Sequence, residues 1–160
     1  MNHNQKRNFA LPAEWQPQSG IQLTWPHAQT DWKPYLYQIT ATFIDMTRII
    51  SAHEKVIIVS PHIDDVIALL KVEIPKEQHK NLLFYHCRTN DTWARDHAFL
   101  TVEATTTAPG FYTQHHLLDF KFNGWGEKFP AELDNKINSE LYFNGAFNGA
   151  LENHNDFVLE

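Results

Sequence analysis

At 160 residues, 42% of them hydrophobic and 13% aromatic, the chain is long enough to bury a sizeable core and too apolar to read as disordered. A formal net charge of −6, with Lys and Arg scattered rather than clustered, argues against a nucleic-acid partner. The single cysteine, Cys87, excludes a disulfide framework within the chain; no apolar run approaches the ~18 residues of a membrane span, and the polar start lacks a signal peptide's apolar stretch, so a cytoplasmic protein off the membrane is expected.

The opening segment to Gly20 is polar and interrupted by Pro12 and Pro17. Ile21 to Trp25 reads as a short strand closed by Pro26. Thr30 or Asp31 is a candidate cap for the next element. From Pro34 to Glu54, Leu36, Ile39, Phe43, Met46, Ile49 and Ile50 recur at helical spacing and predict an amphipathic helix. Lys55 to Val59 is a β-branched run and reads as a buried strand. Ser60 and Pro61 look like the N-cap and first turn of a helix running through Ile63 to Val72. Leu82 to Tyr85 is another short strand. Phe99 to Glu103 and Leu117 to Phe122 read as two strands joined by a turn around Pro109 and Gly110. Ala131 to Tyr142 reads as a helix, and Phe157 to Leu159 begins a new apolar run. The order predicts an α/β fold with mixed strand directions.

The densest chemistry lies in Asn90-Asp91-Thr92-Trp93-Ala94-Arg95-Asp96, directly after a predicted strand. An extended stretch would put Asp91, Trp93 and Arg95 on one side and Asn90, Thr92, Ala94 and Asp96 on the other; a loop would bring Trp93 and Asp96 over one pocket. A carboxylate beside an aromatic face suits a guanidinium: the carboxylate accepts two parallel N–H bonds, and the ring stacks on the weakly hydrated plane. The same composition also fits a surface Asp–Arg pair with a buried Trp.

The run Asn90 to Asp96 resembles the signature of agmatine deiminases and the related bacterial peptidylarginine deiminases. Ala13-Glu14-Trp15 with Pro17, then Trp25-Pro26-His27, resembles the N-terminal motif of that family. Leu118 to Gly126, LDFKFNGWG, resembles its second central motif, and Phe157-Val158-Leu159-Glu160 the start of its next block. After Asp96 the chain has Ala98-Phe99 where the family usually shows Gly-Pro.

The resemblance implies a pseudo-symmetric five-module α/β propeller, the pentein fold. Residues 1–160 are then the N-terminal portion of one deiminase domain, about its first two modules, truncated at the start of the third. It implies guanidine hydrolysis through a cysteine thioether, with a histidine as acid and base. Asp96 and Glu160 match the guanidinium-binding carboxylates. Trp93 matches a residue that packs on the substrate, and Asn90 a polar contact to its far end. Trp125, between Gly124 and Gly126, is the third substrate-binding candidate. The family's His-x-Asp and cysteine come after the glutamate block, so neither is expected here, and the chain alone is expected to be inactive.

The function expected of the full-length enzyme is hydrolysis of agmatine to N-carbamoylputrescine and ammonia in polyamine synthesis, without cofactor or metal. One alternative is action on arginine in peptides. Another is a truncated, non-catalytic domain binding guanidines or a partner. Oligomeric state is left open. His62-Ile63-Asp64 spells His-x-Asp at a helix start, where the acids favour the dipole instead. Cys87 reads as a small buried hydrophobe, and Trp15 and Trp25 as core. His115-His116 lacks zinc-ligand spacing.

Overall fold

The computed structural model describes residues 8–105, 113–147 and 157–159. The centre of the fold is β3 (Lys55–Ser60), the β-branched run, buried along nearly its whole length. It pairs in parallel with β2 (Gly20–Thr24) on one side and β4 (Leu82–His86) on the other. Parallel neighbours need crossovers. These are supplied by α1 (Leu36–Ser51), preceded by a 3-10 turn at Lys33–Tyr35, and α2 (Ile63–Glu73), with a second 3-10 turn after it at Lys76–Asn81.

Strand periodicity divides the core. Val56 and Ile58 face one side, with Phe43 of α1 and Val66 and Leu70 of α2. Ile57 and Val59 face the other, with Cys87, Leu117, Ile137 and Leu141. A continuous apolar strand is the pattern of a sheet covered on both faces, and burying each such side chain contributes about 1.5–3 kcal/mol.

The second sheet has the order β1-β5-β6-β7. β5 (Leu100–Thr105) pairs antiparallel with β1 (Asn8–Ala10) and with β6 (Thr113–Leu118), and β6 pairs in parallel with β7 (Phe157–Leu159). Between β6 and β7 the chain forms a short left-handed turn at Gly124–Glu127 (α4) and the helix α5 (Asp134–Phe143). A further short helix, α3 (Ala94–His97), lies between β4 and β5.

The expected elements are present, with local shifts. α2 begins at Ile63 with His62 in the cap position and no side-chain cap; the Ser60 hydroxyl instead accepts from the His62 N–H at 3.0 Å. α2 stops before Pro75, which forces Ile74 into an extended conformation (φ −101°, ψ 137°). Neither Thr30 nor Asp31 caps α1; Thr30 closes a turn by donating to the His27 carbonyl at 2.8 Å. The strand expected at Leu117 to Phe122 ends at Leu118. Its remaining residues leave the ladder because the Asn135 side chain takes both backbone groups of Phe122, each at 2.8 Å. Residues 8–10, read as part of a polar lead-in, form an edge strand. The expected turn at Pro109 and Gly110 lies outside the described residues. Trp25 is core, 3% exposed and edge-on to Phe43, whereas Trp15 is 88% exposed and does not belong to the core expected for it.

Candidate guanidine-binding site

Two loops meet at one end of the fold. The first runs from the end of β4 through α3. Cys87 N–H still bonds to Ser60 O, continuing the edge of the parallel sheet. Beyond it the chain is held by side chains: Thr89 Oγ1 to His27 Nε2 at 2.8 Å, and Thr92 Oγ1, which accepts from Trp32 Nε1 at 2.8 Å. The stretch is not extended. Asp91 accepts from the Thr92 N–H at 2.7 Å, and Asp96 N–H bonds to Trp93 O at 2.9 Å, closing the turn of α3. Residues three apart on such a turn share a face, so Trp93 and Asp96 are neighbours. Both are exposed.

The second loop carries Trp125. Gly124, Trp125, Gly126 and Glu127 all have positive φ (60°, 54°, 80° and 63°), a complete left-handed turn. Left-handed backbone costs about 1–2 kcal/mol at each non-glycine residue, so Trp125 and Glu127 are strained. Asn123 offsets part of this by accepting from Gly126 N–H at 3.1 Å. The turn puts the Trp125 ring edge-on to Trp93 (5.5 Å), Phe122 (5.0 Å) and Phe129 (5.5 Å).

At Gly124 a Cβ would lie 2.1 Å from the Phe129 carbonyl oxygen, and the φ is +60° as well; at Gly126 the φ is +80° but the space is open. Gly124→Ala is therefore expected to lower stability by about 2–3 kcal/mol and to displace the Trp125 ring, with Gly126→Ala costing only about 1 kcal/mol. Chemical denaturation with tryptophan fluorescence checks the ranking.

Between the loops lies a cavity of about 90 Å³. Its walls are aromatic (Trp93, Phe122, Trp125, Phe129) and its polar groups are acids and amides, Asp31, Asp91, Asp134, Gln29 and Asn90. Carboxylates among ring faces are a setting for a cation. The structure thus brings together Asn90, Trp93 and Trp125; Asp96 stands beside Trp93 but does not line the cavity. Glu160 lies outside the described residues. Asn90 is engaged at both ends of its amide: Oδ1 accepts from the N–H groups of Leu133 (2.7 Å) and Asp134 (3.2 Å), and Nδ2 donates to Glu132 at 3.3 Å. A larger cavity, about 470 Å³, is lined by the arm from Pro12 to Gly20 and by Ala98 and Phe99 rather than by the Asn90 to Asp96 run. Among the described residues no group of three or more His, Cys, Asp or Glu is placed to hold a metal ion, and no helix is long and apolar enough to cross a membrane.

Asp134, Asn135 and Asn138 were not expected at the site from sequence. The available signal was Asp-Asn-x-x-Asn within a helix whose Ile137 and Leu141 are buried, which turns polar side chains towards the core. Burial raises the Asp134 carboxyl to about 6, against the pull of the Asn90 and Asp91 N–H bonds. Burial lowers His97 to about 4, opposed by the charge of Asp96, so its ring is neutral at physiological pH.

The Asp134 shift has a sign that can be measured. A carboxyl with a raised folded-state pKa is protonated more readily in the folded chain, so its contribution to stability grows as pH falls from about 7 to 4. The displacement is about two units at about 1.4 kcal/mol each, so the gain is about 2–3 kcal/mol. Asp134→Asn removes it: the difference in unfolding free energy between the two proteins changes by that amount across the interval, and parallel pH curves would contradict the assignment.

Comparison with known proteins identifies what this arrangement is similar to. Residues 10–160 match the Porphyromonas-type peptidyl-arginine deiminase family. A substrate-bound variant of the C. jejuni agmatine deiminase is 31% identical, with a TM-score of 0.72, over 89% of this chain and 39% of its own. A Porphyromonas gingivalis structure provisionally assigned as an arginine deiminase is 38% identical, with a TM-score of 0.69, over 86% of this chain and 38% of its own. The agmatine deiminase of Medicago truncatula is 27% identical over 125 residues. The chain spans 29–34% of the length of the curated relatives it matches.

Proposed function

The chain belongs to the Porphyromonas-type peptidyl-arginine deiminase family, and from that membership we propose that it supplies the guanidinium-holding part of an agmatine-hydrolysing enzyme. The observation that carries this reading is the meeting of the Asn90–Asp96 and Phe122–Phe129 loops around an aromatic, acid-lined cavity walled by Trp93, whose carbonyl accepts from the Asp96 N–H. Asp96 holds the guanidinium through paired hydrogen bonds, with Glu160 as the second carboxylate. The indole of Trp93, which lines the cavity, packs on the substrate's flat cation and alkyl chain. The distal ammonium enters the cavity, against Trp125 and the carboxylates of Asp31 and Asp91.

The lining of that cavity favours agmatine over arginine in a peptide, because the carboxylates of Asp31 and Asp91 among the rings of Trp93 and Trp125 suit a cationic far end better than an uncharged peptide backbone. Substrate binding involves Asn90 through the loop it fixes.

The chemistry itself needs a thiolate to attack the guanidinium carbon and expel ammonia, then water to hydrolyse the covalent amidino-thioether to a ureido product, with a histidine moving the protons. Those groups belong to a protein that continues this chain to family length, in a five-module ring of which residues 1–160 form about the first two. The product is N-carbamoylputrescine, an intermediate for polyamine synthesis in the cytoplasm. The test is to measure ureido product from agmatine and from a blocked arginine peptide with such a family-length protein. Agmatine preference supports the reading, and peptide preference overturns the substrate.

A further inference from the structure

We infer that the polar side chains of α5 — Asp134, Asn135 and Asn138 — set the placement of both site loops, which makes Asn135 and Asn138 positioning residues for guanidine binding. The inference deepens the reading of that site and rests on it.

The first loop is held at both ends from this helix. Asp134 Oδ1 accepts from Asn90 N–H at 2.7 Å and Asp91 N–H at 3.4 Å, while Asn90 Oδ1 accepts from Leu133 and Asp134 N–H in return. The loop thus caps the helix and the helix closes the loop. One turn further on, Asn138 Nδ2 donates to His97 O at 2.7 Å, immediately after Asp96. The second loop is held by the same face. The other hydrogen of Asn138 Nδ2 goes to Asp119 Oδ1 at 2.8 Å, and Asn135 takes both the N–H and the carbonyl of Phe122.

Asp134 and Asn138 are each 1% exposed, so these bonds form away from competing water and their loss leaves unsatisfied groups. Among the described residues no hydrogen bond runs directly from one loop to the other. Their mutual placement therefore passes through α5, through the β5–β6 ladder that pairs Leu100 with Leu118, and through the edge contact of Trp93 with Trp125. Positive φ at Trp125 and Glu127 adds a reason for the tether, because a strained turn persists only where its surroundings over-determine it.

The test uses Asn135, which is only half-buried, so that the variant keeps its fold. Amide exchange and indole proton contacts are monitored by NMR in the 160-residue chain with Asn135→Ala and Asn135→Asp, and the agmatine midpoint is read from ureido product formation by the same variants of a family-length protein. Asn135→Ala is expected to quicken exchange about tenfold at Phe122 and through Asn123–Glu127, with Val56–Val59 unchanged. It also weakens the Trp93–Trp125 contact and raises the agmatine midpoint several-fold. Asn135→Asp keeps the acceptor for the Phe122 N–H and falls between the two. Wild-type exchange at Phe122, faster exchange spread evenly into Val56–Val59, or an unchanged agmatine midpoint despite local loosening would overturn the inference. A family-length wild-type protein that ignores agmatine while the loop responses appear as stated would sink the functional reading and leave the placement of the loops by α5 standing.

Discussion

Incubated with agmatine, the 160-residue chain is expected to release no ammonia above background, and Cys87→Ala is expected to leave that result unchanged. The reason is chemical. Deimination by the covalent route needs a thiolate at the guanidinium carbon, and Cys87 is the sole thiol in the sequence. Its side chain is 1% exposed, packed with Val59, Leu117, Ile137 and Leu141 between the central sheet and α5. Burial, aided by the Glu140 carboxylate, pushes the thiol up to about 12. At neutral pH the thiolate fraction is then on the order of one part in 10⁵. The imidazole of His97 is neutral and buried, and its Nδ1 has no partner among the described residues. Losing the nucleophile from such a constellation costs several orders of magnitude, and the remaining groups do not act as independent fractions of it. Ammonia release that disappears on Cys87→Ala would contradict both the assignment of Cys87 to the core and the division of labour proposed for this chain.

Much of the fold was legible because local chemistry and tertiary context agreed. The run Val56 to Val59 is apolar on both faces because it is the middle strand of a parallel sheet. The spacing from Leu36 to Ile50 is helical because one side of α1 covers that strand. Where expectation and structure part, a long-range side-chain bond decides the matter. The Leu117 to Phe122 alternation looks like one strand, yet Asn135 removes Phe122 from the ladder, and Asn135 is 13 residues away. Trp15 looks like core by residue type but is exposed, which periodicity cannot indicate in a segment of prolines and polar residues.

The site was legible as motifs and not as geometry. Gly124 and Gly126 announced positive φ, but the left-handed conformation of Trp125 and Glu127 between and after them did not follow from their residue types. Asn90 was expected to face the substrate, and its amide is bound to the start of α5. That contact joins positions more than 40 residues apart. Asp134 and Asn138 are hidden in the sequence because polar residues in a helix read as a solvated face by default. Their burial depends on loops whose course no local pattern specifies.

The second large effect concerns Asp96. In a protein that continues this chain to family length, Asp96→Asn keeps the size of the side chain, removes its charge and turns one acceptor into a donor facing the guanidinium. A hydrogen bond to a charged partner contributes about 1.5–3 kcal/mol, and each ~1.4 kcal/mol is a factor of ten. Within the 160-residue chain the carboxylate is exposed, where an ion pair contributes at most about 1 kcal/mol, so a family-length protein is needed to see the whole effect. Asp96 accepts no hydrogen bond in the described contacts, and its backbone N–H bond to Trp93 is untouched by the substitution, so stability should change little. The most direct test is ureido product formation from agmatine by the wild-type and Asp96→Asn family-length proteins, alongside their melting temperatures. A fall in kcat/KM of at least about tenfold with an unchanged melting temperature is the predicted result. Wild-type kinetics for Asp96→Asn would remove Asp96 from the site and contradict the proposal that this chain holds the guanidinium.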